Sequence, residues 1–158
     1  MTHGAVLLRD PRDEDLETLH RLDQLCFEPG IAYTRAQIRR FLRLATARGV
    51  VAEVGGEIAG FAIGYRSRRG VAHVLTLDVH PEFRRRRLGH ALLRAVLSRL
   101  AEDGATETRL EVDVRNAGAI AFYERLGFRP LRRLEDYYAE GRAALEMGLR
   151  GDSLPDVP

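Results

Sequence analysis

Two periodicities of apolar residues divide this chain into predicted helices and strands. Near the N-terminus, Val6–Leu8 is a short apolar strand, and leucines spaced at about 3.6 residues then predict a helix through Cys26. Asp13 is the expected cap of that helix. Thr34 is the expected cap of a second helix, which Gly49 would end.

The middle of the chain predicts three strands and a third helix. Val50–Val54 and Glu57–Tyr65 flank Gly55-Gly56, a dipeptide typical of the tight turn of a β-hairpin. Val71–Val79 follows as a strand, and a helix with one apolar face begins at about Leu88, after a basic loop.

The remainder of the chain adds a strand, a helix and two closing strands. These are expected over Thr108–Val114, Asn116–Leu126, Phe128–Tyr138 and Ala143–Leu149. The complete order, β-α-α-β-β-β-α-β-α-β-β, predicts an α/β fold in which a mixed sheet carries helices on both faces. We expect a single domain over residues 1–150 and a polar, mobile tail over residues 151–158.

Composition places the chain among soluble globular proteins. Its 158 residues are 45% hydrophobic and 30% charged, and no apolar run approaches the roughly 20 residues that a membrane span needs. The single cysteine, Cys26, excludes an intrachain disulfide and fits a reducing compartment. We therefore expect a cytoplasmic protein without a membrane partner.

Arginine supplies all 25 basic residues, four of them consecutively at Arg84–Arg87. Such a run can bind nucleic acid, but it lacks interleaved aromatic residues, acidic residues are dispersed along the chain, and the net charge is only +2. We expect no nucleic-acid partner. The run lies between a strand and a helix N-terminus, where free N–H groups and the helix dipole bind anions, so we predict a phosphate-bearing ligand.

Glu111 occupies a position where a charged residue is unexpected. A strand between two helices should be central in the sheet and apolar on both faces, yet Glu111 lies at its middle. If that face opens onto a cleft, the carboxylate has a raised proton affinity and can act as a general base. A structural ion pair with Arg109 or Arg129 explains it equally well, and both interpretations stay open.

The helix after this strand carries two further candidates. Tyr123 shares a face with Ala119 and Phe122; a core tyrosine with a bonded hydroxyl is the commoner case, and a role in chemistry is the alternative. Asn116, the only asparagine, is accounted for as the helix N-cap and could also contact a ligand. The five histidines show no paired metal-ligand spacing, so no metal is expected.

Two long segments resemble the GNAT superfamily of acetyl-CoA-dependent N-acetyltransferases. The segment VHPEFRRRRLGHA is similar to the family's pyrophosphate-binding motif, Gln/Arg-x-x-Gly-x-Gly/Ala, with Arg84 at its first position and Gly89 at its last. LEVDVRNAGAIAFYERLGF, residues 110–128, is similar to the family's second signature. Within the family the chain most resembles the RimI-like enzymes that acetylate protein N-termini, at Glu111, Asn116, Tyr123, Tyr137, Tyr138, Ala144 and Met147.

Two residues depart from the family's pattern. The middle glycine of the phosphate loop is Arg87 here. If this position needs a positive φ, an arginine here narrows the phosphate-binding site. If the position is helical, Arg87 can instead add a charge-assisted contact to phosphate, and we expect the helical geometry. The acidic residue common just before the Ala-x-x-Met is Ala143, which weakens an assignment to alanine-type protein N-termini.

The resemblance implies a splayed central sheet and direct acetyl transfer. Acetyl-CoA, the acetyl donor, would lie with its pyrophosphate on the amides of Arg85–Ala91 and its pantetheine arm along Leu77–Val79. Glu111 would take a proton from the acceptor amine through a water, and Tyr123 would protonate the departing thiolate. The implied cofactor-binding residues are Leu77, Asp78, Val79, Arg84, Arg85, Arg86, Arg87, Leu88, Gly89, His90, Ala91, Asn116 and Tyr123.

The resemblance further implies a primary amine as acceptor, with a protein N-terminal α-amine as the first candidate. Tyr33, Tyr137 and Tyr138 are candidates for the acceptor wall, although surface or edge-strand packing explains them equally well. A small-molecule amine, such as an antibiotic, a polyamine or an amino acid, is the alternative acceptor. A CoA-binding module without catalysis is the remaining alternative, and we expect a monomer or a homodimer.

Overall fold

Seven strands within the described part of the chain form one mixed sheet in the order β1-β2-β3-β4-β5-β7-β6. The computed structural model describes residues 4–151, so the predicted tail, apart from Gly151, lies outside the described residues. The predicted order of elements and the α/β fold class are confirmed. The strands are β1 Val6–Arg9, β2 Ala47–Val54, β3 Glu57–Arg66, β4 Val71–Val79, β5 Glu107–Asp113, β6 Arg129–Ala139 and β7 Arg142–Arg150; the helices are α1 Leu16–Cys26, α2 Arg35–Arg43, α3 Leu88–Glu102 and α4 Ala117–Arg125.

The two faces of the sheet carry separate hydrophobic cores. α1 and α2 cover one face, where Leu19, Ile38 and Phe61 are fully buried. α3 and α4 cover the other, where Leu92 is fully buried and Phe128 nearly so. Burial of each such side chain stabilises the fold by about 1.5–3 kcal/mol. The apolar residues that repeat along each helix therefore hold that helix against its face of the sheet.

The seam between β4 and β5 is the only parallel pairing in the described sheet, and it is short. It runs from Val71 opposite Glu107 to His73 opposite Arg109. Beyond this point the pairing of β4 with β3 skips Leu75, a bulge that bends the strand. β4 and β5 then separate, and β5 pairs with β7 along its whole length instead. The sheet is therefore splayed, as the family resemblance implies.

Two predicted helix boundaries are wrong. Asp13 does not cap α1, because it begins a short 3-10 helix that precedes α1. The residue directly before α1 is Asp15, and its carboxylate forms an ion pair with Arg9 of β1. α2 stops at Arg43, and Gly49 lies inside β2 instead of ending the helix. A Cβ at Gly49 would come within 2.6 Å of the Pro11 ring, so the glycine is needed for close packing rather than for a helix end.

No helix within residues 4–151 combines the length and the apolar character needed to cross a membrane. The same part of the chain holds no group of three or more His, Cys, Asp or Glu side chains placed to bind a metal ion.

Candidate active site

The opened seam between β4 and β5 forms a cleft of about 1160 Å³. Its walls are the second halves of the two strands, the loop and first turn that lead into α3, one side of α4, and tyrosines near the end of β6. The cleft contains every residue predicted for the site except Asp78, Arg86 and Ala91. It is large enough for a cofactor-sized ligand and an acceptor together.

The loop before α3 presents a row of backbone N–H groups to the cleft. Arg85 and Arg87 have φ angles of 66° and 60°, in the left-handed region that arginine rarely adopts. Left-handed residues just before a helix create a concave nest of N–H groups that binds anions. Within α3 the first N–H to bond back is that of Ala91, to the Arg87 carbonyl at 3.1 Å, so the earlier N–H groups are available to a ligand.

The helical geometry expected for Arg87 is wrong. Arg87 stands at the N-cap of α3 with φ 60° and ψ 20°, a left-handed conformation. This is the geometry that favours glycine, the residue usual at this position of the motif, and an arginine holds it at a cost of about 1–2 kcal/mol. The Arg87 side chain nevertheless lines the cleft.

The four arginines of the loop do not act as one patch. The Arg84 guanidinium turns back, donating to the Val79 carbonyl at 3.1 Å and lying 3.7 Å from the Cys26 sulfur. Arg86 lies over the Phe83 ring at 5.3 Å and outside the cleft lining. Arg84, Arg85 and Arg87 line the cleft, but the Arg84 guanidinium is bonded to the protein, so only part of the run is available to a ligand.

Asp78 and Ala91 were predicted to contact the cofactor, and neither side chain faces the cleft. The Asp78 carboxyl is fully buried on the α1 side of β4, where Thr76 is bonded to it. Strand alternation is the reason, because Leu77 and Val79, its neighbours on β4, line the cleft instead.

Glu111 is half-buried on β5 and faces the cleft. The pairing with β7 sets it directly opposite Glu146, a buried carboxylate. Burial raises the pKa of the Glu111 carboxyl above its usual range, repulsion from Glu146 raises it further, and Arg132 opposes both. A carboxylate with a raised pKa is a stronger base than an ordinary glutamate, which suits proton abstraction from an amine.

The structural ion pair considered for Glu111 does not form. Arg109 is paired with Glu107 and Glu146, at 3.6 and 3.3 Å. Across residues 4–151, the Glu111 carboxylate has no hydrogen bond or ion pair. Asp113, two residues further along the same face of β5, differs in having Arg115 at 3.0 Å, which holds the pKa of its carboxyl below the usual range.

Tyr123 lies on the cleft side of α4. Its ring packs against Phe122 and Phe128, with centroids 5.2 and 5.5 Å away. Burial raises the pKa of its hydroxyl, so the phenol keeps its proton at neutral pH and can serve as a donor. Asn116 is confirmed as the cap of the same helix, since its Oδ1 accepts from the Ala119 N–H at 3.1 Å, and it also lines the cleft.

Three tyrosines predicted for the acceptor wall meet in the cleft. The Tyr33 hydroxyl donates to the carbonyl of Leu75, the bulged residue of β4, at 3.0 Å. The rings of Tyr137 and Tyr138 stand nearly perpendicular with centroids 4.9 Å apart. Burial raises the pKa of all three hydroxyls, so this wall is aromatic and uncharged at neutral pH.

Sequence reasoning missed Tyr65 and His73, which also line the cleft. Their rings stack at 4.9 Å beside the closed end of the seam. Burial and the neighbouring Arg109 lower the pKa of His73, which favours its neutral form. The alternation of β3 and β4 could have indicated that both side chains share a face of the sheet.

An ion-pair network across the mouth of the cleft was also missed. Glu28, in the loop between α1 and α2, accepts from Arg115 and Arg142, each at 2.6 Å. The same arginines lie 3.0 and 3.5 Å from Asp113 at the end of β5. The paired residues are 87 and 114 positions apart, so no local pattern could have indicated them.

Comparison with known proteins identifies relatives over most of the chain. Residues 16–128 match the model of the Acetyltransferase (GNAT) family. An N-alpha-acetyltransferase of Sulfurisphaera tokodaii is 30% identical over 152 residues, which cover 89% of this chain and 90% of that protein. The resemblance read from the two sequence motifs is thereby confirmed.

Solved structures show the same fold. Ard1 of Thermoplasma volcanium superposes with a TM-score of 0.85 and 32% identity, covering 93% of this chain and 98% of that chain. The ribosomal-protein-S18-alanine N-acetyltransferase of Escherichia coli superposes with a TM-score of 0.83 and 24% identity, covering 96% and 97%.

Proposed function

Because this chain belongs to the GNAT family of acetyltransferases and is an acetyl-CoA-dependent N-acetyltransferase, we propose that its acceptors are the N-terminal α-amino groups of proteins. The N-alpha-acetyltransferase of Sulfurisphaera tokodaii, similar over nearly the whole of both chains, supports this acceptor class. One structural observation carries the proposal, namely a half-buried carboxylate without a counterion within residues 4–151, on the aromatic side of the cleft.

The strength of this base suits an α-amine. An α-amino group has a pKa near 8, against about 10.4 for a lysine side chain, so less assistance is needed to reach the neutral nucleophile. A single carboxylate with a raised pKa, Glu111, can supply that assistance through a water. A lysine acceptor would need a base stronger by about two further pKa units.

Acetyl-CoA occupies the α3 side of the cleft in this proposal. Its pyrophosphate contacts the free N–H groups between Arg85 and Ala91, where the positive end of the α3 dipole adds to the attraction. Its pantetheine arm follows the part of β4 that β5 leaves unpaired, along Leu77 and Val79. Asn116 and Tyr123 border the same space from α4.

The acceptor ammonium gives one proton to Glu111, and its nitrogen then forms a bond to the thioester carbonyl carbon. The negative charge that develops on the carbonyl oxygen is stabilised by a backbone N–H near Val79. When the C–S bond breaks, the CoA thiolate takes a proton from Tyr123, and the second proton of the nitrogen restores the phenol. Glu111 releases its proton to solvent, which completes the balance.

The acceptor lies against Tyr33, Tyr137 and Tyr138 in this proposal. These rings provide apolar area without charge, which suits a peptide whose α-amine must lose a proton on binding. The Glu28 network ties the Tyr33 loop to the ends of β5 and β7 and limits how far this side of the cleft opens.

A panel of acceptors tests the proposal. The purified protein and acetyl-CoA are incubated with peptides of differing first residue, with the same peptides blocked at the N-terminus but containing lysine, and with aminoglycosides, polyamines and amino acids. Release of CoA thiol and the mass of the product are measured, with Glu111→Gln as the blank. We expect acetylation of free peptide N-termini; acetylation confined to small amines would replace this acceptor class, and CoA binding without thiol release would indicate a non-catalytic module.

A further inference from the structure

Two buried carboxyl groups lie on the α1 side of β4, the strand proposed to bind the pantetheine arm. The proposed acetyl-transfer steps do not use them. Asp23 of α1 and Asp78 of β4 are both 0% exposed. The hydroxyl of Thr76 lies between them, in a short hydrogen bond with Asp78 Oδ1 and 3.4 Å from Asp23 Oδ1. Because buried carboxylates are costly without counterions, this cluster needs a physical reason.

The hydrogen count requires a proton on this chain of groups. A threonine hydroxyl has one hydrogen and can donate it to only one of two carboxylates. Asp23 and Asp78 are also joined by a side-chain hydrogen bond, and two carboxyl groups can form such a bond only if one of them is protonated. Two unscreened negative charges this close would also repel strongly, as in other buried carboxyl pairs that share a proton.

The remaining contacts decide which group carries the proton. Asp23 Oδ2 accepts from the Tyr33 backbone N–H at 2.7 Å, so this carboxylate accepts two hydrogen bonds when it is ionised. Asp78 Oδ2 is buried and accepts no hydrogen bond from residues 4–151, which places the proton on Asp78. The protonated Asp78 is bonded to Asp23, Asp23 also accepts the Tyr33 N–H, and the Thr76 hydroxyl completes the cluster. Burial and the neighbouring Asp23 raise the pKa of Asp78 well above its usual range.

The chain of groups ends at a residue of the acceptor wall. Tyr33 is fixed at its N–H by Asp23 and at its hydroxyl by the Leu75 carbonyl, so both ends of the residue are bonded to the α1–β4 unit. Asp78 lies between Leu77 and Val79, the strand residues that face the cofactor space. The titratable and charged groups near Asp78 are Asp23, Cys26, Tyr33, Arg84 and Tyr123. Thr76 adds an uncharged hydroxyl, and β3 contributes the apolar Phe61 opposite Asp78.

We propose that Asp78, Thr76 and Asp23 hold a single proton that positions Tyr33 for acceptor binding, and that loss of this proton in alkaline solution weakens binding of the acceptor. This inference rests on the proposed placement of the acceptor beside Tyr33. With the proton lost, both carboxylates are charged, the Thr76 hydroxyl can bond only one of them, and α1 is repelled from β4. The Tyr33 N–H then moves with Asp23, while its hydroxyl stays with β4.

Asp78→Asn tests the inference because an asparagine NH₂ supplies a hydrogen-bond donor in place of the protonated carboxyl at every pH. Steady-state KM for the acceptor is measured from pH 7 to pH 10 in the wild type and in this variant, with the same acceptor. Ionisation of the amine cancels in the ratio of the two KM values. We expect the wild-type KM to rise relative to the variant by about fivefold in alkaline solution, the loss of roughly one hydrogen bond. KM for acetyl-CoA is expected to keep the same ratio throughout.

A constant ratio of acceptor KM values across the range would overturn the inference. Thr76→Val and Thr76→Ser form a second pair that does not depend on folding of Asp78→Asn. The valine should raise the acceptor KM at all pH values, and the serine, which keeps the hydroxyl, should restore the wild-type profile; equal profiles for the two would also overturn it. If only small amines are acetylated, the proposed acceptor class fails, and the same ratios measured with such an amine decide the inference separately.

Discussion

The two ends of the β4–β5 seam have similar residues but opposite electrostatics. At the closed end the strands are paired, and Arg109 neutralises Glu107 and Glu146 at 3.6 and 3.3 Å. At the open end Glu111 has no counterion within the described residues, and its pKa is raised by burial and by Glu146. One bulge, at Leu75, separates the ion-paired end from the end that we propose to be reactive.

The difference shows that spacing along a strand does not decide the role of a carboxylate. Glu107, Glu111 and Asp113 share one face of β5, and the first and last are paired with arginines. Arg109 finds its partners on its own strand and on β7, whereas Glu111 lies opposite Glu146, a like charge, on β7. On its other side β4 has separated from β5, so the Glu111 side chain faces the cleft and a ligand can approach it.

Replacing the open-end carboxylate should have the largest effect. Glu111→Gln is expected to lower kcat/KM by about 10²–10⁴, since the amide cannot accept the proton, while Glu107→Gln at the closed end should leave the rate near that of the wild type. Tyr123→Phe is expected in the same range if its hydroxyl protonates the thiolate. CoA thiol release measures all three, and equal rates for the two glutamine variants would contradict the comparison.

Glu146 lies opposite Glu111 and is paired with Arg109, so it contacts both ends of the seam. Removing its charge should affect stability more than chemistry. Glu146 is buried and bonded to Arg109 and Arg132, so Glu146→Gln is expected to lower the free energy of unfolding by about 1–3 kcal/mol. Urea denaturation measures it. Glu135→Gln, which breaks the exposed pair with Arg133 on β6, is the control and should change stability by less than about 1 kcal/mol.

Arg87, the left-handed arginine in the loop before α3, offers a smaller test. Arg87→Gly relieves about 1–2 kcal/mol of left-handed strain but adds about 0.5–1 kcal/mol of unfolded-chain entropy, so a net gain in stability below about 1 kcal/mol is expected. Arg86→Gly relieves no left-handed strain, because Arg86 has no positive φ, and it adds the same entropy term and loses the contact with the Phe83 ring, so it should destabilise. Thermal unfolding without ligand compares the two; a loss for both would show that φ at Arg87 is not strained.

The smallest expected effect is a pH-dependent gain in stability for Glu111→Gln. A carboxyl whose pKa is raised by folding contributes stability that is complete below the unfolded pKa and lost as pH rises through the folded pKa. Glutamine avoids that loss, so the variant should be more stable than the wild type at pH 7, and the difference should vanish at about pH 4. Melting temperatures at the two pH values measure it, with Glu107→Gln as the control.

Much of the site could be predicted from the sequence because it consists of local patterns. The order of elements, the hairpin at Gly55-Gly56, the caps Thr34 and Asn116, and the anion-binding loop each depend on residues within a few positions of one another. The geometry of Arg87 could not be predicted in this way. The loop and the start of α3 together hold that residue in a left-handed conformation. Arginine has no intrinsic preference for this conformation, so the residue type does not indicate it.

The sequence by itself determined the fold class, the candidate phosphate loop and the candidacy of Glu111 and Tyr123. Hydrophobic periodicity fixes which faces are buried, and the motifs lie within single strand–loop–helix units. Only the tertiary structure decided that Glu111 is unpaired, that Asp78 faces Asp23 through Thr76, and that Glu28 bonds Arg142 across the mouth of the cleft. These contacts join residues far apart in the chain, and their charge states depend on burial and neighbours that exist only after the sheet has formed and splayed.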